Sequence, residues 1–329
     1  MSTSSATNFP ATIAIVGCGL VGRCWAIVFG RAKCLVRMYD QDPVARASTT
    51  SMLSALLPQL AAKGMLGGLS SDSFMANITV CPSLEECLLG VTHVQECLPE
   101  DLDLKKRFFQ ELSAKIETDT ITLASSTSNL TCSSWSQGLP ENRRKQCIVA
   151  HPINPPHCIP LVEIVPAPWT CPDTTMRVMA HMRAVGQVPV LLKKEVIGFA
   201  VNRLQYALLE EAFSLVERGI MSPEDVDAVM SDGLGLRWSF LGPFETIDLN
   251  APEGVRQYEM FYGQGMRSVL RDMKATRSDW TDLTIREIDA AMRRKYPVEA
   301  ISAQRLRRDE RLMALSLHKR QQEQQKSKL

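Results

Sequence analysis

Residues 12–40 constrain the fold more than any other part of the sequence. The apolar run Thr12–Val16 predicts a buried strand, and the motif Gly17–Gly22 (GCGLVG) follows it directly. The next stretch, residues 20–31, predicts a helix, and a second apolar run then ends at Asp40. Strand, glycine turn, helix, strand and acid in this order are typical of a dinucleotide-binding unit in a parallel α/β sheet.

Each glycine of the motif has a physical task. Gly17 permits the tight turn, Gly19 lets a pyrophosphate approach the backbone, and Gly22 lets the helix pack on the sheet. Leu20 and Val21 open the helix, whose N-terminal amides favour an anion. The alternative is a glycine turn without a nucleotide, which the strand, helix and acid together disfavour.

Asp40 predicts which dinucleotide binds. A carboxylate about 20 residues after the motif accepts hydrogen bonds from the adenosine ribose and repels a 2′-phosphate. Gln41 follows it instead of an arginine, so the sequence favours NAD over NADP.

The remaining pattern predicts two domains. Short apolar runs alternate with amphipathic stretches up to residue 192, whereas residues from 196 onward are helical in pattern. We therefore predict an α/β Rossmann-type, doubly wound and mostly parallel sheet in residues 1–195. An all-helical C-terminal domain follows in residues 196–329. Eight strands are predicted, at residues 12–16, 34–39, 78–81, 93–97, 121–125, 146–150, 161–165 and 188–192.

Composition excludes several classes of protein. The chain has 329 residues, a formal net charge of +1, and no apolar run of the roughly 18 residues that cross a bilayer. Neither a nucleic-acid partner nor a membrane is therefore expected. Its ten cysteines are single, with no Cys-x-x-Cys pair, so no metal is expected and reduced thiols inside a cell fit best.

The segment from His151 to Glu163 predicts the catalytic groups. His151 follows a strand at the edge where α/β sheets bind ligands, and a proline-rich turn leads into a strand that carries Glu163. A histidine oriented by a carboxylate can act as a general base for an alcohol proton. Such a pair would more often be structural, and only the adjoining dinucleotide site reverses that preference.

Two further polar residues are ambiguous from the pattern alone. Ser128 ends a strand in the run Ser125–Asn129 and could bond to a substrate oxygen, or the run could simply cap the next helix. Asn202 lies on an apolar helix face and is either a satisfied core amide or a group aimed into a cleft.

Taken together, these segments resemble the 3-hydroxyacyl-CoA dehydrogenase superfamily, and within it the lambda-crystallin branch. The resemblance covers residues 10–270 and is carried by GCGLVGRCWA, QECLPEDLDLKK, SSTSNL, CIVAHPINPPHCIPLVEIVP, KEVIGFAVNRLQYAL and GLGLRWSFLGPFET. It implies an NAD-dependent dehydrogenase whose helical domain forms the substrate cleft and a homodimer. The implied roles are His151 as base, Glu163 as its partner, Ser128 and Asn202 orienting the reacting oxygen and nicotinamide, and Asn154, Glu100 and Lys105 contacting the cofactor.

Departures from the family bear on the substrate. Acyl-CoA members carry a lysine-rich stretch after the second strand, whereas residues 42–66 here hold only Arg46 and Lys63 as cations. The glycine-rich aromatic motif that usually ends their helical domain is also missing. Both departures favour a free 3-hydroxy acid such as L-gulonate, and we expect Arg237 to bind its carboxylate or, equally, to pair with Asp232 or Glu245.

The last three residues favour another substrate. Ser327-Lys328-Leu329 matches the peroxisomal import address, so an import receptor is an expected partner and the cytoplasm is the alternative location. Peroxisomal β-oxidation would favour a 3-hydroxyacyl-CoA. A third alternative is a crystallin-like protein kept for structure or NAD storage, although an intact set of catalytic residues argues against it.

Overall fold

The computed structural model describes residues 11–326, apart from the side chains of residues 323, 324 and 326. The predicted import address, Ser327-Lys328-Leu329, therefore lies outside the described residues. The chain divides after Asn202 into two compact units, called unit 1 and unit 2 below. The boundary predicted between residues 195 and 196 lies a few residues earlier.

Unit 1 is built on a sheet, and all eight predicted strands are present in it. Apolar runs without alternation are expected for strands that are covered on both faces. The strands are β1 (Thr12–Val16), β2 (Leu35–Tyr39), β3 (Ile78–Val80), β4 (His93–Glu96), β5 (Thr122–Ser125), β6 (Cys147–Pro152), β7 (Leu161–Pro166) and β8 (Val188–Leu191).

The sheet is doubly wound and mostly parallel, which confirms the predicted fold class. Its strand order is β3-β2-β1-β4-β5-β6-β7-β8, and β6–β7 is the antiparallel pair. The strand order reverses direction between β1 and β4, and ligands bind outside the carboxyl ends of strands at such a point. The turn after β1, the loop after β5 and the end of β6 all lie at this edge.

Helices cover the two faces of the sheet. The first of them is almost wholly buried, with Trp25 and Phe29 stacked 5.2 Å apart between their ring centroids. The helices of unit 1 are α1 (Leu20–Arg31), α2 (Pro43–Ala62), α3 (Ser71–Met75), α4 (Leu84–Cys87), α5 (Leu102–Lys115), α6 (Cys132–Ser136), α7 (Glu141–Arg144) and α8 (Pro172–Ala184).

The described part of unit 2 is helical, as predicted. Helix α9 (Val201–Glu217) begins in unit 1 and continues into unit 2. The other helices are α10 (Pro223–Ala228), a π-helical turn (Val229–Leu234), α11 (Gly235–Trp238), α12 (Pro243–Asp248), α13 (Val255–Ala275), α14 (Asp282–Lys295), a 3-10 turn (Val298–Ala300) and α15 (Ile301–Lys326). Within residues 11–326, no helix combines the length and the apolar character that a membrane span needs.

The predicted start of the C-terminal helical region is wrong by a few residues. The first helix starts at Val201 instead of Val196, because Gly198 (φ 74°) and Phe199 (φ 50°) adopt left-handed conformations that a helix does not contain. After Leu234 the chain continues directly as helix α11. Gly235 permits this, because a Cβ there would lie 2.6 Å from the carbonyl oxygen of Met230 across the π-helical turn.

Candidate active site

The turn between β1 and α1 has the shape that a pyrophosphate requires. Gly17 has φ 107°, and a Cβ on it would lie 2.5 Å from the carbonyl oxygen of Cys97. A Cβ on Gly22 would lie 1.9 Å from the carbonyl oxygen of Gly17, so both positions exclude a side chain. Around Gly19, by contrast, a Cβ would meet no described atom within 4 Å. The backbone is thus tight on the protein side and open where a ligand would approach, beside the uncapped start of α1.

Asp40 braces this turn from the end of β2. Its Oδ2 accepts a hydrogen bond of 2.8 Å from the backbone N–H of Cys18, and its Oδ1 accepts one of 3.0 Å from that of Asp42. Arg46 donates to the carbonyl oxygen of Asp40 and lies 5.5 Å from the ring centroid of Tyr39. The carboxylate is therefore fixed and retains lone pairs for ribose hydroxyls, with a cation beside it.

His151 and Glu163 are brought together by the β6–β7 hairpin. The two residues are paired in register, and His151 Nδ1 lies 2.9 Å from Glu163 Oε2. Both side chains are buried, with exposed fractions of 5% and 0%. Since a carboxylate can only accept, Nδ1 carries the proton and Nε2 is left as the acceptor. Among the described residues nothing bonds to Nε2.

The second oxygen of Glu163 accepts hydrogen bonds from backbone N–H groups at the start of helix α9. Glu163 Oε1 accepts hydrogen bonds of 2.8 Å from the N–H of Ala200 and 3.0 Å from that of Val201. Burial opposes ionisation of this carboxyl, but His151 and the two amides outweigh burial and lower the pKa of Glu163. The left-handed residue Phe199 is fully buried, and its ring centroid lies 5.4 Å from that of His151. The base is thus held by a carboxylate on one side and a ring on another.

Asn202 and Glu100 both hold the loop after β5. Asn202 Nδ2 donates to the carbonyl oxygen of Ser128 at 2.8 Å. Glu100 Oε1 accepts from the N–H of Ser128 at 3.2 Å, from that of Asn129 at 3.1 Å and from the hydroxyl of Thr127. The side chain of Ser128 is exposed. Because Asn202 lies in the first turn of α9, the start of this helix contacts both the loop after β5 and the carboxylate of Glu163.

Lys105 lies beneath this loop in a buried ion pair. Its Nζ is 2.8 Å and 3.0 Å from the two oxygens of Glu96 and 3.7 Å from Glu100 Oε2. Lys105 is 1% exposed and Glu96 0%. Burial raises the pKa of Glu96, while the ammonium group and the hydroxyl of Ser125 oppose the rise. Lys105 therefore supports Glu100 and the loop from below.

Two predicted site residues form no side-chain hydrogen bond with the other described residues. Asn154 is exposed in the loop after β6, and no side-chain hydrogen bond joins it to the other described residues. Arg237 lies in α11 of unit 2 and is exposed. In residues 11–326 neither Asp232 nor Glu245 forms an ion pair with it, so the predicted bracing contacts are absent there.

Sequence reasoning missed three residues of the site. Glu96 could have been suspected, because an acid in a strand predicted to lie inside a parallel sheet needs a buried partner. Phe199 carries no comparable signal, although the preceding Gly198 marks a position where helices begin or break. Arg46 was counted only as a cation of residues 42–66, and its place beside Asp40 depends on the packing of α2.

Comparisons with known proteins identify the family of this chain. Residues 12–196 match the family model for the 3-hydroxyacyl-CoA dehydrogenase NAD-binding domain, and residues 198–282 match that for the C-terminal domain. The chain is 44% identical to lambda-crystallin of Oryctolagus cuniculus, over 95% of this chain and 98% of that protein. It is 32% identical to L-carnitine dehydrogenase of Oceanobacillus iheyensis, over 84% and 85%.

A solved structure extends the likeness. The structure of 5-formyl-3-hydroxy-2-methylpyridine 4-carboxylic acid 5-dehydrogenase, an NAD⁺-dependent dismutase, matches with TM-score 0.76 and 27% identity, over 93% of this chain and 97% of that one.

The chain belongs to the 3-hydroxyacyl-CoA dehydrogenase family, and with lambda-crystallin among its most similar relatives it is an NAD-dependent oxidoreductase. The residues present fit the cofactor. The open face of Gly19 would admit the pyrophosphate, the first amides of α1 would face it, and Asp40 would hold the adenosine ribose.

Replacing Asp40 by asparagine should weaken the preference for NAD. The change removes a charge-assisted hydrogen bond worth about 1.5–3 kcal/mol, so we expect NADH affinity to fall roughly 10- to 150-fold. NADPH affinity should hold or rise, because repulsion ends while Arg46 remains. Fluorescence titration of both cofactors measures this ratio. Asp42→Asn is the control, since exposed Asp42 only caps α2 through Val44. An unchanged NADH to NADPH ratio in Asp40→Asn would contradict the role of Asp40.

Proposed function

We propose that this enzyme oxidises the 3-hydroxyl of a small free 3-hydroxy acid, of which L-gulonate is an example. His151 is the general base and Glu163 its partner. The observation that supports the chemistry most strongly is the 2.9 Å hydrogen bond between these buried side chains, at the same edge of the sheet as the dinucleotide turn.

The proton transfer follows from the orientation of the imidazole ring. Nδ1–H donates to Glu163, so Nε2 has the free lone pair that takes the alcohol proton. The imidazolium that results is stabilised by a carboxylate that two backbone N–H groups hold in place. NAD, when bound, supplies the acceptor for the hydride that leaves the carbinol carbon.

Ser128 and Asn202 have the orienting role in this proposal. The exposed hydroxyl of Ser128 is available to a substrate oxygen, and Asn202 fixes the backbone that carries it. The burial of His151 against Phe199 keeps bulk water from most of the imidazole ring. The proton on the base therefore exchanges mainly with the substrate.

The free-acid substrate class rests on charge and on relatives. Arg46, one of the two cations in residues 42–66, is already engaged with the backbone at Asp40 and Gln41, which leaves Lys63 for a CoA phosphate. A relative named L-carnitine dehydrogenase supports a substrate without CoA. The family name supports the second candidate, a 3-hydroxyacyl-CoA thioester.

A substrate panel tests the proposal. NADH formation is followed with L-gulonate, L-3-hydroxybutyrate, L-carnitine and L-3-hydroxybutyryl-CoA at equal concentrations. We expect the highest kcat/KM with a free acid. A higher value with the CoA thioester would establish the second candidate, and NAD binding without turnover of any substrate would favour a structural protein.

Arg237→Met separates the two substrate classes further. We propose that Arg237 binds the free carboxylate, because its guanidinium is exposed and unpaired within the described residues. Loss of a desolvated charge-assisted pair of about 1.5–3 kcal/mol should raise KM for the acid roughly 10- to 150-fold. Arg256→Met, which alters an exposed arginine of α13, is the matched control. An unchanged KM would exclude this role, and an unchanged KM together with a lowered melting temperature would make Arg237 structural.

A further inference from the structure

A buried polar network lies beneath the site, on the sheet face that α1 covers. Gln95 on β4 is fully buried at its centre. Its Nε2 lies 2.7 Å from Ser126 Oγ and 3.3 Å from the carbonyl oxygen of Ala150, and its Oε1 lies 3.0 Å from His93 Nε2. Trp25 Nε1 donates to the same Ser126 hydroxyl at 3.1 Å.

The direction of every bond in this network is determined. The carbonyl oxygen of Ala150 can only accept, so the NH₂ group of Gln95 faces Ala150 and Ser126. Gln95 Oε1 therefore faces His93, which must carry its proton on Nε2. Burial lowers the pKa of His93 to about 3, so this imidazole stays neutral. With two donors on its oxygen, Ser126 turns its own proton to Cys97 Sγ at 3.3 Å. Glutamine satisfies this arrangement, whereas glutamate has no N–H to donate.

The groups that the network joins belong to the three parts of the active site. Trp25 lies on α1, the helix that starts at the dinucleotide turn. Ser126 opens the loop that contains Ser128, two residues further on. The carbonyl of Ala150 belongs to the peptide group whose nitrogen is that of His151. The side-chain amide of Gln95 thus fixes the loop after β5 relative to the backbone that carries the base.

We propose that Gln95 is a positioning residue of the dehydrogenase site, which sets the spacing between Ser128 and His151 without touching substrate. The inference rests on the proposed roles of those two residues. A displacement of about 1 Å between reacting groups can cost about 100-fold in rate. Loss of the amide should therefore act on hydride transfer rather than on cofactor binding, because the glycine turn and Asp40 are held by other bonds.

The test compares Gln95→Met with Gln146→Met. Gln146 is another buried glutamine, which donates to the carbonyl oxygen of Thr118 at 3.0 Å and lies just before the amino end of β6, away from the site. Both variants should lower the melting temperature. In Gln95→Met alone we expect kcat to fall about 10- to 100-fold. The deuterium isotope effect on kcat should also rise, measured with the fastest panel substrate deuterated at its carbinol carbon, while KM for NAD stays within about twofold.

A milder variant keeps the proposal testable if Gln95→Met does not fold. Ser126→Ala removes the hydroxyl that contacts Gln95, Trp25 and Cys97. It leaves the bonds of Gln95 to His93 and Ala150 in place, so kcat should fall in the same direction by a smaller factor. Unchanged kcat and isotope effect in Gln95→Met or, failing that, in Ser126→Ala would overturn the positioning role. Equal kinetic losses in Gln146→Met would also overturn it. His151→Gln is measured in parallel, because retained turnover there would refute the proposed function itself, independently of Gln95.

Discussion

Replacing His151 by glutamine should lower kcat in the direction of alcohol oxidation by about 10²- to 10⁴-fold, the usual contribution of a general base. Glutamine has no lone pair of comparable basicity where Nε2 faces the substrate. NADH affinity, measured by fluorescence, should be unchanged, because the dinucleotide turn and Asp40 are held independently of β6.

Glu163→Gln should be nearly as damaging, for a reason specific to this geometry. Glu163 uses one oxygen for the N–H groups of Ala200 and Val201 and the other for His151. An amide has one oxygen, which the two N–H groups of α9 will retain, so its NH₂ faces Nδ1. The imidazole must then carry its proton on Nε2 and cannot act as a base. In serine proteases the equivalent change costs about 10⁴-fold through the same wrong tautomer.

Two results with these variants would contradict the roles assigned to His151 and Glu163. A His151→Gln enzyme whose kcat lies within about tenfold of the parent value would exclude His151 as the base. A Glu163→Gln enzyme with normal kcat would show that the carboxylate serves α9 alone.

Lys105→Met should have the largest effect on stability. Removing one partner of a buried ion pair costs about 3–5 kcal/mol, because Glu96 is left without its counter-charge. About 2–4 °C per kcal/mol for a domain of this size gives a fall in melting temperature of roughly 6–20 °C. Lys106→Met is the matched control. The side chain of Lys106 is 50% exposed, and its Nζ lies 3.8 Å from Oδ1 of Asp103, which is itself exposed. That control should change the melting temperature by no more than a degree or two.

The loss of stability in Lys105→Met should become larger as the pH rises. Burial already raises the pKa of Glu96, and without Lys105 the rise is larger. A carboxyl whose pKa is higher in the folded than in the unfolded chain is destabilising when ionised, so the deficit should be greatest above neutral pH. It should shrink toward about pH 5 as Glu96 takes up a proton. Adding Glu96→Gln to Lys105→Met should recover much of the loss, and a double variant no more stable than Lys105→Met would refute the ion-pair explanation.

Elements that follow from local physics could be predicted from the sequence. Most of the eight strands contain short apolar runs, and the glycine turn has only one spacing that works. Hydrogen bonds across the sheet could not be predicted in this way. Lys105 has the pattern of an exposed amphipathic helix, and only the packing of α5 on β4 places it beside Glu96. The polar residues of β4 were visible in the sequence, but their partners 31 and 55 residues away were not.

The hairpin that joins β6 to β7 has a consequence for how this enzyme can evolve. Surface connections usually tolerate insertions and deletions. Here the connection is anchored from both sides, since Arg31 donates to the carbonyl oxygen of His157 and Gln187 to that of Pro156. A slip of one residue in strand pairing would turn Glu163 to the opposite face of the sheet. Length variation is therefore expected to accumulate in other loops, while selection for turnover keeps this one at constant length.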